Sequence, residues 1–188
     1  VIPQEIIDEM GLVAAYGNTG TSTIGDEIKF TISRKLHEEY KNLKEKNDGK
    51  IPERFKTMED LSELVFSIIT GMKHNHISQQ MKGLYGFDCN DYIAGTYEKK
   101  GKKIELKDKE ILEDCQKFMT WKGSIPDTKS VFMNAGVLAG YDDSTGFRIF
   151  HFSIWRMYKE EVDIAYAAGG SGSDMMQFYL SEFLAGKS

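Results

Sequence analysis

At 188 residues, 40% hydrophobic and 28% charged, the chain has the composition of one globular domain with a core of its own. A net charge of −5, with no large Lys/Arg cluster, excludes nucleic acid as a main partner. No apolar run reaches the length of a membrane span and no signal peptide is visible, so no membrane partner is expected.

The first predicted element is a short apolar strand at 11–17, broken by Gly17-Asn18. A helix follows over 21–46, because Ile24, Ile28, Ile32, Leu36, Tyr40 and Leu43 recur at spacings of three and four and make one apolar face. Asp48-Gly49 ends it, glycine being suited to a left-handed cap. Thr57-Met58-Glu59-Asp60 has the form of a capping box, with Asp in the place of Glu or Gln. It opens a second helix, 57–76, whose stripe is Leu61, Leu64, Val65, Ile68, Ile69 and Met72.

Residues 82–130 read as a separate module. Tyr92–Tyr97 and Ile104–Leu106 suggest the arms of a hairpin, with Lys99, Lys100, Lys102 and Lys103 as its solvated basic tip. Ile111, Leu112, Cys115, Phe118 and Met119 suggest a helix packed on one face. Strands are then expected at 131–141, 147–155 and 162–168, the first two joined by a turn that Asp142-Asp143 would cap. The last strand runs into Gly169-Gly170-Ser171-Gly172-Ser173 and a helix, 174–184.

Glycines between a strand and a helix can cradle a phosphate. Here no Lys follows them, and Met175 stands where a G-x-G-x-x-G would need glycine, so no nucleotide cofactor is expected. No metal site is expected either: His74 and His76, two apart on a helix, do not share a face. His37 belongs to an exposed face, and His151 points away from Phe150 and Phe152. Cys89 and Cys115 make neither a zinc knuckle nor a C-x-x-C pair, and two reduced thiols point to the cytoplasm.

Taken in order, Ala14-Ala15-Tyr16-Gly17-Asn18-Thr19-Gly20, Ala139-Gly140-Tyr141-Asp142 and Gly170-Ser171-Gly172-Ser173 with its following helix resemble a proteasome β-type subunit of the N-terminal-nucleophile hydrolase superfamily. The resemblance covers about 8–40, 57–76 and 131–184. It implies an α+β fold, a four-layer α-β-β-α sandwich of two antiparallel sheets, with the 21–46 and 57–76 helices together on one outer face. Residues 1–188 would form a single, partial domain with an insertion at about 82–130. About four core strands are legible and two packed sheets need more, so further strands are expected before Val1 and after Ser188.

In the family an N-terminal threonine attacks a peptide carbonyl while its own α-amine takes up the hydroxyl proton, an activated nucleophile beside a base. The resemblance places that threonine and its Lys and Asp partners upstream of Val1. Thr19, Thr21 and Thr23 are internal and carry no free α-amine. Two catalytic positions carry over: Gly17, whose backbone N–H would face the oxyanion, and Ser171, whose hydroxyl would lie near the nucleophile's amine. An oxyanion donor is typically worth about 3–4 kcal/mol in the transition state. Ala15, Gly17 and Thr19 match the strand edge along which a substrate backbone pairs. On the residues alone, Gly17 equally fits a strand-to-turn glycine, and Ser171 a turn hydroxyl bonded to local backbone.

The implied function is a threonine-type peptide or amide hydrolase acting on a peptide or protein substrate within a homo-oligomer. Met72, Trp121, Trp155 and Met157 would be apolar anchors between copies. A non-catalytic scaffold subunit of the same fold is the alternative, and a small-molecule-binding α+β domain is a third possibility.

Overall fold

The computed structural model describes residue 4, residue 8 and residues 11–20, 22–50, 55–120, 135–153 and 158–162. The chain is mixed α+β with two antiparallel sheets, and it divides into two compact units, residues 1–69 with 133–188, and residues 70–132.

The first unit holds a four-stranded sheet in the order β1-β4-β5-β6, with β1 Val13–Thr19, β4 Ala135–Asp142, β5 Gly146–Ser153 and β6 Tyr158–Glu161. All three pairings are antiparallel. The register places Gly17 opposite Val137, Val137 opposite His151 and His151 opposite Glu160. Because side chains alternate across a strand, these residues share one face of the sheet.

Two helices back the other face. Helix α1, Ser22–Lys46, buries Ile24, Ile28, Ile32, Leu36 and Tyr40 of the predicted stripe, leaves its last member Leu43 half-buried and leaves His37 exposed. It ends where expected: the Gly49 N–H donates to the Lys44 carbonyl, with Gly49 at φ 76°. It sits close on β1, since a Cβ at Gly25 would come within 2.1 Å of Asn18 Nδ2. Helix α2, Met58–Tyr85, opens on Thr57, whose hydroxyl accepts from the Asp60 N–H and donates to the Asp60 carboxylate. Its first turns bury Met58, Leu61, Leu64 and Val65, and Phe66 stacks on Phe152. The expected placement of these two helices on one side of a sheet holds for residues 58–69 of α2.

Helix α2 runs nine residues past the predicted end at 76, to Tyr85. Ile77 and Met81 continue its apolar stripe into the core of the second unit, together with Phe87, Cys89 and Cys115. The second unit also corrects the start of the predicted hairpin. Tyr92, Ile93 and Ala94 belong to a short helix, α3 Cys89–Ala94, because Asp88 caps it by accepting from the Asn90 and Asp91 N–H groups, and Gly95 ends it at φ 69°. The hairpin is β2 Thr96–Lys99 with β3 Lys102–Glu105, and helix α4 spans Lys109–Thr120.

β6 is a strand that the apolar pattern does not announce. It is held by charge: Arg148 Nε donates to Glu161 Oε1 at 2.6 Å, and His151 Nδ1 lies 3.1 Å from Glu160 Oε1. Lys159 Nζ donates to Glu59, Glu63 and Ser62 on α2 at 2.6–2.9 Å. The expected strand at 162–168 falls outside the described residues except for Val162, whose N–H donates to the Ile149 carbonyl. Of the two sheets in the predicted sandwich, the described residues of the first unit supply one.

Candidate functional site

The substrate edge predicted from the sequence lies on β1, which is the edge strand of the described sheet. Along it Val13, Ala15 and Gly17 are exposed, whereas Ala14, Tyr16 and Asn18 turn to the helix-backed side and are half-buried. A Cβ at Gly17 would meet nothing within 4 Å among the described residues. Across the face, Ala15 stands opposite Ala139, Gly17 opposite Val137 and Thr19 opposite Ala135, so the strip is made of small side chains. At one end of it the row Val13, Tyr141 and Phe147 is exposed by 53%, 47% and 60%. Farther in, Ile149 is buried.

The backbone of Gly17 is held from both sides. Tyr16 seats its ring where a Cβ of Gly136 would be, its Oη 2.3 Å from that position, and Asn18 fills the space that Gly25 leaves open. Tyr16 Oη and Asn18 Oδ1 are buried with no hydrogen-bond partner among the described residues. Burial pushes the Tyr16 phenol well above its ordinary value, so it stays protonated. Ala15, Gly17 and Thr19 are thereby brought to one strip. Ser171, the second predicted catalytic residue, lies outside the described residues, as do Trp121, Trp155 and Met157. Met72, expected as an anchor between copies, is instead buried within α2, 8% exposed. It packs in a core because it belongs to the apolar stripe of the helix, with Leu61, Leu64, Val65 and Ile69.

Two features escaped the sequence reading. The His151–Glu160 pair faces the same side of the sheet as Gly17, in the same cross-strand row, roughly 10 Å away across two strands. Glu160 belongs to the charged strand that showed no pattern, so His151 had no visible partner. The second is the reach of Asp142. As expected, it caps its turn, accepting from Ser144 N at 2.9 Å and Thr145 N at 2.7 Å and from both hydroxyls at 2.5 Å. It also accepts from the Met58 N–H at 2.8 Å, 84 residues away, and so ties the β4–β5 turn to the start of α2. Burial pushes its carboxyl up, but the bonds from Ser144, Thr145 and Met58 outweigh that and hold it well below the usual carboxylate range.

Among the described residues no group of three or more His, Cys, Asp or Glu side chains could hold a metal, and no helix is long and apolar enough to cross a membrane. Cys89 and Cys115 are free and buried. Burial, then Asp114, pushes the Cys115 thiol up to about 11, which makes it a poor nucleophile at neutral pH.

No protein-family model matches the chain, and comparison with curated proteins and with solved structures found no match.

Proposed function

We propose that the chain is a proteasome-like subunit of the N-terminal-nucleophile class, a four-layer α-β-β-α sandwich that assembles into a cytoplasmic homo-oligomer and hydrolyses peptide bonds. The observation that carries this reading is the strip exposed at Ala15 and Gly17 and continued by half-buried Thr19, on an edge strand that leads within three residues into α1. An extended peptide can add to such an edge by backbone pairing, and small side chains let it approach closely. Both helices lie on the opposite face, as the outer layer of such a sandwich requires. In this reading the Gly17 N–H stabilises the oxyanion, while the attacking hydroxyl belongs to a terminal residue elsewhere in the intact protein.

The test is covalent trapping. The intact protein is treated with a peptide bearing a carbonyl electrophile, and mass spectrometry locates the adduct. Labelling of a terminal Thr, Ser or Cys supports the hydrolase. Gly17→Val, which puts a branched side chain on the open strip, should then slow labelling at least about tenfold through misplacement of the peptide. A stable oligomer without labelling leaves the scaffold reading, and an unlabelled monomer removes both.

A further inference from the structure

The hairpin of the second unit breaks two local rules at its tip. Its turn residues, Lys100 at φ 53° and Gly101 at φ 73°, form a type I′ arrangement, in which the first position favours Asn, Asp or Gly and a lysine is strained. The closing pair of the ladder is Lys99 opposite Lys102, two like charges facing each other, which is destabilising. Lys103 is exposed as well, but it stands opposite Glu98 on the other face of the hairpin. Sequences depart from local rules chiefly where a site requires it.

Beside these lysines lies a concave site. A cavity of about 200 Å³ is lined by Tyr85, Phe87, Tyr97, Ile104, Leu106 and Ile111, with Glu105, Lys107 and Asp108 on its rim. Tyr97 and Ile104 are cross-strand partners, so they share a hairpin face with Lys99 and Lys102, about 7 Å farther toward the tip. The rim charges are partly spent already. Lys107 pairs with Glu105 at 2.6 Å, and Asp108 caps α4 by accepting from the Glu110 and Ile111 N–H groups.

The size of the cavity selects its occupant. Drug-sized ligands fill about 300–1,000 Å³, whereas an apolar cavity of about 150 Å³ takes a benzene-sized group. One aromatic or large aliphatic side chain fits. A nucleobase would need partners for its polar edges, which this mainly apolar wall does not offer, and a bilayer surface does not fill a concavity.

We propose that the second unit is a docking site for an acidic protein segment that inserts one aromatic or large aliphatic side chain between Tyr97, Ile104 and Ile111 and sets its carboxylates on Lys99, Lys100 and Lys102. The lysine pair is tolerated because the partner's charge relieves it. This site is independent of the peptide-hydrolase reading.

Fluorescence anisotropy tests it, with the whole chain titrated into labelled decapeptides rich in Asp and Glu that carry one Phe, Trp, Leu or Ser. The Phe, Trp and Leu peptides should bind saturably, and Ser should weaken binding about fivefold, as expected for loss of a buried anchor. The double variant Lys99→Glu/Lys102→Glu changes only exposed side chains. It should weaken binding at least about tenfold at low salt, and added salt should no longer weaken it further. Leu112→Trp, which fills the cavity from α4, should erase the difference between Phe and Ser peptides. Four results would each overturn the proposal: no saturable binding by any acidic peptide, affinity unchanged in the double variant, no preference for Phe over Ser, or tighter binding to single-stranded RNA or anionic lipid vesicles than to the peptides.

Discussion

On the helix-backed face of the sheet, Gly136 and Gly140 are small because other atoms occupy the space a side chain would need. A Cβ at Gly136 would lie 2.3 Å from Tyr16 Oη, and one at Gly140 would lie 2.3 Å from the Val13 carbonyl oxygen and 2.6 Å from Met58 Sδ. On the opposite face Gly17 is small with nothing within 4 Å among the described residues. The same residue type thus allows close packing on one side and leaves space on the other. Packing explains the first two glycines, whereas no described neighbour explains Gly17.

The largest expected effect is on the packed side. Asp142→Ala orphans the buried Met58 N–H, which costs about 1–3 kcal/mol, and also uncaps the exposed turn, where water can replace the bonds from Ser144 and Thr145. Urea denaturation should show a loss of about 3 kcal/mol. The pH dependence has a definite sign. The folded carboxyl is held below its ordinary value, so the unfolded chain binds the proton first as pH falls. Its stabilising contribution is complete above an ordinary Asp pKa of about 4, and it is lost as pH drops through the lower folded value. Asp142→Asn should flatten that acid limb, and an unchanged acid limb would mean that Asp142 is not the linked group.

Next in size is Gly140→Ala. The Val13 carbonyl is backbone and cannot move aside as a flexible side chain would, so β1 must shift from β4. Overpacking of this kind costs about 1–3 kcal/mol. Gly136→Ala should cost less, because the Tyr16 ring can swing. Equal losses at the two positions would argue that β1 moves as a whole.

Smaller still is Lys159→Met. Lys159 bridges β6 to Glu59 and Glu63 and lies 5.1 Å from the Phe150 ring centroid, with its side chain 12% exposed. Burial lowers its pKa, but its bonds to Glu59 and Glu63 raise it further, so the ammonium stays charged well above neutrality. Both glutamates are more than a third exposed, so the loss should be about 1 kcal/mol and should shrink in high salt.

How far the sequence speaks for the fold depends on what holds each element. α1 was legible residue by residue because Ile24, Ile28, Ile32, Leu36 and Tyr40 all face one core. β6 was not legible, since Tyr158-Lys159-Glu160-Glu161 is held by ion pairs whose partners are distant in sequence. The start of the hairpin was misread because Tyr92 and Ile93 have strand-like side chains, and the Asp88 cap overrides that preference. For the candidate site, Ala15, Gly17 and Thr19 come from the family resemblance alone, and β1 places the three on one face. The seating of Tyr16 on Gly136 and of Asn18 on Gly25 was not, because each depends on a residue that the chain brings in from another element.

The smallest change in stability is expected at Gly17, and it is the most informative. Alanine there meets no neighbour among the described residues and removes the conformational freedom of a glycine in a strand, worth roughly 0.5–1 kcal/mol. Gly17→Ala should therefore be neutral or slightly stabilising in urea denaturation, in contrast to Gly140→Ala. If β1 receives an extended peptide, the added methyl stands in its path, and trapping by the electrophilic peptide should slow while stability holds. Loss of function with retained stability is the signature of an access surface rather than a packing surface. A Gly17→Ala variant as destabilised as Gly140→Ala would show instead that this face is closed in solution, and the edge of β1 would then have no claim to a substrate.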